Sequence, residues 1–230
     1  MVVHINKIGP VTFFRNSVSK SIKISVRPDK SVLISFPHYV RDKEVFSFLS
    51  RNESWIINQQ NKIRAVQKIY EEGAVIHTKL HSVVIKQGNE NGKVEVKENQ
   101  VIIYISYFDA EQTNKLIENL LTKIYRHEAH VLLPKRLKEL AQSHGFSYNK
   151  ITIRNNKRNW GSCSSANNIS LNLQMMKLPN ELIDYILLHE LVHTKIKNHS
   201  IRFWEELNLH TQNKARELSQ QVKKYSTYTL

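Results

Sequence analysis

The chain has 230 residues, of which 23% are charged and 40% hydrophobic, a composition typical of a folded globular protein. It contains no apolar run of about eighteen residues, and its first residues lack the charged-then-apolar pattern of a signal peptide, so neither a membrane-spanning helix nor secretion is expected. A single cysteine excludes an internal disulfide framework. Together these features predict a cytoplasmic protein with no membrane partner.

The formal net charge of +14 is the strongest signal in the composition. Such an excess of lysine and arginine favours polyanionic partners, namely nucleic acid, nucleotides or acidic protein segments. An equally weighted alternative is a solvated surface that keeps the protein soluble.

Residues 2–36 alternate between apolar and polar side chains in short runs, which predicts strands over 11–14, 22–26 and 32–36. A Pro-Asp turn separates the second and third runs, so these two strands are predicted to form a hairpin. Only Asp29 opposes the basic side chains of this sheet, which are Arg15, Lys20, Lys23, Arg27 and Lys30.

The apolar period changes to that of a helix over residues 41–69, with Asp42 able to cap its start and Trp55 expected to anchor its packing. Residues 73–106 then return to strands. Asn91-Gly92 between two apolar runs predicts a type I′ hairpin. In the same segment, His77 and His81 are expected to be surface residues.

A long helix is predicted over residues 109–144, with Asp109 as its cap and Gly145 ending it. Pro134 is expected to kink this helix or to split it in two, because proline removes a backbone donor and clashes with the preceding turn. The pair His127 and His130 has no third ligand nearby and is expected to be packed or solvated.

The acid-free segment 150–160 follows, and Arg154, Lys157 and Arg158 in it are hypothesised to bind substrate. Gly161 is expected to allow a tight turn, and the following run, 169–173, is predicted to be a strand. Such a strand ahead of the next helix is expected to line a cleft and to pair with an extended peptide. No histidine is tied to Cys163 by spacing, which favours a structural or metal-adjacent role over a nucleophilic one.

An apolar helix beginning near Pro179 leads into the motif His189-Glu190-Leu191-Val192-His193. Residues four apart share a helix face, so the two histidines can direct their imidazoles at one zinc ion. His199 can supply a third ligand if the helix ends near 197–198 and Asn198 adopts the left-handed conformation. Glu190 points about 100° away from His189, where a general base for a zinc-activated water is needed.

Residues 154–204 resemble the YgjP-like family of zinc metallopeptidase-fold proteins, which is related more distantly to SprT-like and WLM domains. The resemblance implies zinc on His189, His193 and His199, with Glu190 as the catalytic glutamate. One departure is Asn159, which stands where the family has a basic residue. The matching pieces are the zinc motif itself, Trp160-Gly161-Ser162-Cys163-Ser164, Asp184-Tyr185, Asn198-His199-Ser200 and Phe203-Trp204.

The predicted fold is therefore α+β, with a β-rich N-terminal half and a zincin-like C-terminal domain that contains the zinc-motif helix. The predicted domains are residues 1–106, with the helix 41–69 among strands, and residues 107–230, which end in one helix over 200–224. No internal repeat is visible in the sequence. The predicted function is zinc-dependent hydrolysis of a peptide bond in a protein or peptide substrate, with Glu190 as general base.

Two other functions stay open at this point. The same zinc-activated water could attack a nucleoside triphosphate held by the basic residues 150–160, which would make the protein a metal-dependent pyrophosphatase. Alternatively, the chain could be a nucleic-acid-binding module with structural zinc. A structural site needs a fourth protein ligand, and Cys163 is the only thiol available.

Overall fold

In the computed structural model the described residues are 2–27, 30–62, 70–106, 110–156, 158–225 and 227. The contacts divide the chain into two compact units, residues 1–67 and residues 68–229. Within the described residues, no helix is both long enough and apolar enough to cross a membrane. The predicted α+β class with a β-rich N-terminal half is confirmed.

The first unit is a four-stranded sheet packed against two helices. Its strands are ordered β1-β2-β4-β3, with β2 and β4 parallel and the other pairs antiparallel. One sheet face is buried against the helices through Val11, Val32, Ile34, Val45, Leu49 and Ile56. The elements are β1 (Val2–Ile5), β2 (Gly9–Arg15), β3 (Lys23–Val26), β4 (Val32–Phe36), α1 (Asp42–Arg51) and α2 (Glu53–Lys62).

The predicted hairpin is confirmed as the antiparallel pair β3–β4, with Pro28 and Asp29 of its turn outside the described residues. The prediction of a single helix is wrong over residues 41–62. Asn52 leaves the helical conformation at φ −104° and ψ 8° and separates α1 from α2. Residues 63–69 of that prediction lie outside the described part of the chain. Trp55 is 46% exposed, more than its predicted packing role implies.

The second unit begins with another four-stranded sheet, and this sheet repeats the topology of the first. Its order is β5-β6-β8-β7, again with one parallel pair at the centre. The registers also correspond: Val83 lies opposite Val101 as Val11 lies opposite Val32. A structural repeat is therefore present although the sequence did not reveal one. The strands are β5 (Val75–His77), β6 (Ser82–Gln87), β7 (Lys93–Lys97) and β8 (Gln100–Ile105).

The type I′ hairpin predicted at Asn91-Gly92 is wrong. Strands β6 and β7 are not neighbours, because β8 lies between them. Gly92 does adopt a positive φ of 80°, but its N–H donates to the Tyr104 carbonyl of β8 at 2.8 Å. The tight turn instead joins β7 to β8, with Lys97 opposite Gln100. Turn residues do not show which strands pair, so the sequence could not predict that β6 lies beside β8 and not beside β7.

Helix α3 (Ala110–His144) packs on this sheet and connects it to the C-terminal elements. It continues through Pro134, so the predicted split is wrong. The neighbouring side chains Leu133 and Leu137 are 1% and 0% exposed, and this packing holds both halves of the helix in one core. Gly145 ends the helix at φ 67°, as predicted, whereas Asp109 lies outside the described residues.

The C-terminal elements surround a three-stranded sheet of order β10-β11-β9, in which β11 is central. The predicted final helix is wrong as a single element, because Gln212 and Asn213 have positive φ and separate two helices. The elements are β9 (Lys150–Arg154), β10 (Gly161–Cys163), β11 (Asn168–Asn172), a short 3-10 helix (Leu173–Lys177), α4 (Asn180–Lys195), α5 (Ile201–His210) and α6 (Ala215–Val222).

The predicted domain boundary at residues 106–107 falls inside the second unit, whose core includes residues of both the β5–β8 sheet and the C-terminal helices. That residues 1–106 and 107–230 fold independently of each other stays a prediction.

A buried carboxylate joins α3 to the loop before β6. Glu128 has no exposed surface and accepts hydrogen bonds from the Lys79 and Leu80 amides at 3.0 and 3.1 Å. It also bonds the Thr78 hydroxyl and, at 2.8 Å, Nδ1 of His81. The His81 side chain is only 14% exposed, so its predicted surface position is wrong. By contrast, His77 is exposed.

Replacing this carboxylate tests its structural role. We expect Glu128→Ala to lower the free energy of unfolding by about 3 kcal/mol, because it leaves buried donors without an acceptor. Chemical denaturation measures the change. Glu205→Ala, at an exposed position of α5, is the control and should change the free energy by less than about 0.5 kcal/mol. Equal stability of the two variants would contradict the assigned role.

Candidate metal and catalytic site

Helix α4 positions the first part of the site. Its middle is buried, with Leu187, Leu191 and Val192 at 0% exposure, which fixes the rotation of the helix about its axis. The next turns therefore present His189 and His193 together on one face.

His199 joins the two histidines from the segment between α4 and α5. The helix ends at Lys195, two residues before the predicted end, and Ile196 is extended with φ −124°. The predicted left-handed conformation of Asn198 is wrong, since its φ is not positive. Instead, the Asn198 side-chain oxygen accepts the Ser200 N–H at 3.3 Å and so shapes the turn that presents His199.

The three imidazoles converge through their Nε2 atoms. Nε2 of His199 lies 3.0 Å from Nε2 of His189 and 3.2 Å from Nε2 of His193. Ligand nitrogens at roughly 2.0–2.1 Å from one tetrahedral zinc ion are about 3.4 Å apart. The spacing of these nitrogens therefore fits ligation of one ion. Among the described residues, these three histidines form the group that could hold a metal ion. Their candidate ligand atoms all lie within 4.8 Å of one another.

Two contacts orient the imidazoles. Nδ1 of His193 lies 2.9 Å from the Ile196 carbonyl, which can only accept, so Nδ1 carries the proton and Nε2 is free to ligate. The Phe203 ring, fully buried, packs against all three imidazoles with centroid distances of 4.8, 4.5 and 4.8 Å. In the sequence Phe203 stood out only as part of the family resemblance, because spacing along a chain does not show three simultaneous contacts.

Burial also sets the protonation of the ligands. It lowers the pKa of His189 to about 3, with further lowering from the neighbouring His193 and His199. Burial lowers the pKa of His193 as well. Both imidazoles are consequently neutral at pH 7, which is the form that binds a metal.

Glu190 lies beside the histidines on the same helix, 5% exposed. Burial raises its pKa to about 8. Its Oε2 has no hydrogen-bond partner among the described residues, although a buried carboxylate oxygen ordinarily has one. A buried acceptor without a partner, on the residue that follows His189, fits a base that accepts a proton from water.

Strand β10 approaches the Glu190 side chain so closely that any residue larger than glycine at position 161 would displace it. A Cβ there would lie 2.7 Å from Oε1 and 2.8 Å from Cγ of Glu190. The prediction that Gly161 serves a tight turn is wrong, because it lies within a strand and its φ is not positive. What the position requires is space for the Glu190 side chain.

Cys163, at the far end of β10, is not a member of the histidine cluster. Its Sγ lies 3.7 Å from Nζ of Lys197, which also donates to the Ser164 carbonyl at 2.9 Å. Burial is the largest effect on the thiol and raises its pKa. Within the described residues the metal candidates therefore number three, which leaves a coordination position open.

The basic residues of segment 150–160 are placed differently. Arg154 and Arg158 are exposed, and neither has a hydrogen bond or ion pair with the described residues of the histidine cluster, while Lys157 lies outside the described residues. Buried Asn172 holds this segment by donating to the carbonyls of Asn156 and Asn159 at 2.7 and 2.9 Å. The substrate-binding role of the three basic residues stays a prediction.

Comparison with solved structures finds two partial similarities. The metallopeptidase zymogen jannalysin of Methanocaldococcus jannaschii is 30% identical, with a TM-score of 0.36, over 40% of this chain and 94% of that one. The metallopeptidase zymogen abylysin of Pyrococcus abyssi is 26% identical, with a TM-score of 0.37, over the same shares. No curated protein matches the chain.

The family model described as the YgjP-like metallopeptidase domain matches residues 20–225, which is most of the chain and includes every residue of the site described above. The protein is therefore a metallopeptidase and belongs to the YgjP-like family.

Proposed function

We propose that this metallopeptidase is a zinc enzyme that cleaves peptide bonds, with His189, His193 and His199 as metal ligands and Glu190 as general base. The observation that supports this most is the convergence of three Nε2 atoms, and the buried Oε2 of Glu190, the residue after His189, has no hydrogen-bond partner among the described residues. When bound, zinc supplies Lewis acidity, which lowers the pKa of water and polarises a carbonyl.

In this proposal each side chain has a defined task. Oε2 of Glu190 takes a proton from the attacking water and passes it to the leaving amine. The Ile196 carbonyl keeps the proton of His193 on Nδ1, and Phe203 closes the inner side of the cluster against solvent. Burial of the Glu190 carboxyl group raises its pKa to about 8.

The substrate is proposed to bind as an extended strand along β10. The sequence predicts that a peptide pairs with the run 169–173, which nearly coincides with β11. That strand offers no free edge, because it is already paired with β10 on one side and with β9 on the other. Among the described strands, β10 is at an edge of its sheet and also adjoins Glu190 through Gly161. Pairing to its backbone favours binding with little sequence preference.

Removal of one ligand tests the metal site. We expect the parental protein to bind about one zinc per chain and His193→Ala to lose it, because two imidazoles hold zinc much more weakly than three. Elemental analysis after dialysis measures the content. His130→Ala, an exposed histidine on α3, is the matched control and should retain the metal. Full occupancy in His193→Ala would refute the ligand assignment.

Removal of the base tests the reaction. We expect Glu190→Gln to keep the metal and to lose at least about a hundredfold in kcat on casein-derived peptides. Glu181→Gln, exposed in the first turn of α4, should leave kcat unchanged. Nucleoside triphosphates assayed in parallel test the pyrophosphatase alternative. Triphosphate hydrolysis that requires Glu190, without peptide cleavage, would replace the peptidase proposal.

The buried base also predicts a pH dependence of stability in the chelated protein. Its pKa rises from 4.5 to about 8 on folding, so the folded state keeps a proton that the unfolded state releases. Stability therefore falls as pH rises through this interval. We expect Glu190→Gln to remove this loss and to exceed the parental free energy of unfolding at pH 8 by on the order of 1–4 kcal/mol, with a smaller difference at pH 5. Denaturation in chelator measures it, and a pH-independent difference would contradict the burial argument.

A further inference from the structure

The outer face of the first unit's sheet, opposite its helices, combines basic, small polar and aromatic side chains. Alternation along each strand places Ile24 and Val26 in the core and Lys23 and Ser25 outward. The same alternation places Phe14 outward beside the buried-face residue Phe13. The outer face consists of Val2, His4, Pro10, Thr12, Phe14, Lys23, Ser25, Leu33 and Ser35, with Arg27 at its end.

This face is exposed and positively charged. Phe14 is 53% exposed, which is unusual for a phenylalanine on a folded sheet. The register places Phe14 and Lys23 on either side of Ser35, roughly 10 Å apart across two strand spacings. Neither Lys23 nor Arg27 forms an ion pair with a described residue, and strands β1 to β4 contain no acidic side chain.

The repeated sheet of the second unit keeps the two cations, with Lys93 at the position of Lys23 and Lys97 at that of Arg27, but it differs in the residues around them. By register, Glu95 stands where the first sheet has Ser25, and Lys86 stands where it has Phe14. Tyr104, the counterpart of Ser35, donates to the Glu95 carboxylate at 3.1 Å. The second sheet therefore has an outer face with both acidic and basic side chains. The first sheet, with the same topology, has an outer face without acidic side chains and with the exposed ring of Phe14.

We propose that the outer face of the first unit binds single-stranded nucleic acid, an interaction beyond the peptidase activity and separate from its site. Lys23 and Arg27 neutralise phosphates, and the Phe14 ring stacks on a base, which any base permits because all have a π-face. The exposed ring favours nucleic acid over an acidic protein segment, since carboxylates do not stack. Cations without an ion-pair partner among the described residues also suit a single strand, whose phosphates and bases are both accessible.

The test uses the full-length protein and a fluorescein-labelled single-stranded DNA of roughly 16 nucleotides, followed by anisotropy at about 50 mM salt. We expect binding, and Phe14→Ala should weaken it roughly fivefold or more. Lys23→Gln together with Arg27→Gln should flatten the slope of log affinity against log salt by about 1.4. Ser25→Glu, which copies the acid of the second sheet, should weaken binding about fivefold at low salt and less at high salt.

Matched variants locate the surface. Trp55→Ala removes an exposed ring from α2, and Ser147→Glu adds one charge at an exposed position of the second unit, so both should bind like the parent. Arg154→Gln with Arg158→Gln should also leave the salt slope unchanged. Thermal melting confirms that each variant is folded.

Three results would overturn the proposal. The first is absence of DNA binding. The second is equal binding by Phe14→Ala, Ser25→Glu and the parent. The third is competition by polyglutamate as effective per charge as DNA and insensitive to Phe14→Ala, which would assign the face to acidic protein segments. Since none of these measurements involves hydrolysis, failure here leaves the peptidase assignment intact.

Discussion

Three imidazoles and one carboxylate occupy a small space in the second unit, and much of the surrounding structure holds them there. The Nε2 atoms of His189, His193 and His199 face one another, and Oε2 of Glu190 has no hydrogen-bond partner among the described residues. The apolar packing of α4 and of Phe203 fixes these side chains in an arrangement that fits a metal ion.

The same constraint reaches the strand opposite α4. Because Glu190 fills the space where a Cβ of residue 161 would lie, any residue larger than glycine at that position would displace its side chain. The loop before β10 is held in turn by the buried amide of Asn172, which satisfies two carbonyls of the loop. The edge of this sheet therefore contacts Glu190 directly, and a shift of β10 would disturb that side chain.

The repeated sheet separates what the fold requires from what a surface adds. Both copies keep apolar residues at the same inner positions, such as Val11 and Val83, because these build the two cores. Several outer positions differ, such as Phe14 and Lys86 or Ser25 and Glu95, whereas Lys23 and Lys93 are both cations. Differences at such positions therefore reflect what each face contacts in solution more than how the sheet folds.

The sequence alone determined the α+β class, the motif of His189, Glu190 and His193, the third histidine and the family resemblance, since these depend on local period and spacing. It also located Gly145 and the β3–β4 pair, whose signals lie within a few residues. Only the tertiary structure decided that β8 separates β6 from β7, that α3 continues through Pro134, that Glu128 joins distant segments, and that Gly161 makes room for Glu190. Each of these depends on contacts between residues far apart in the chain, and packing free energy there outweighs local preference.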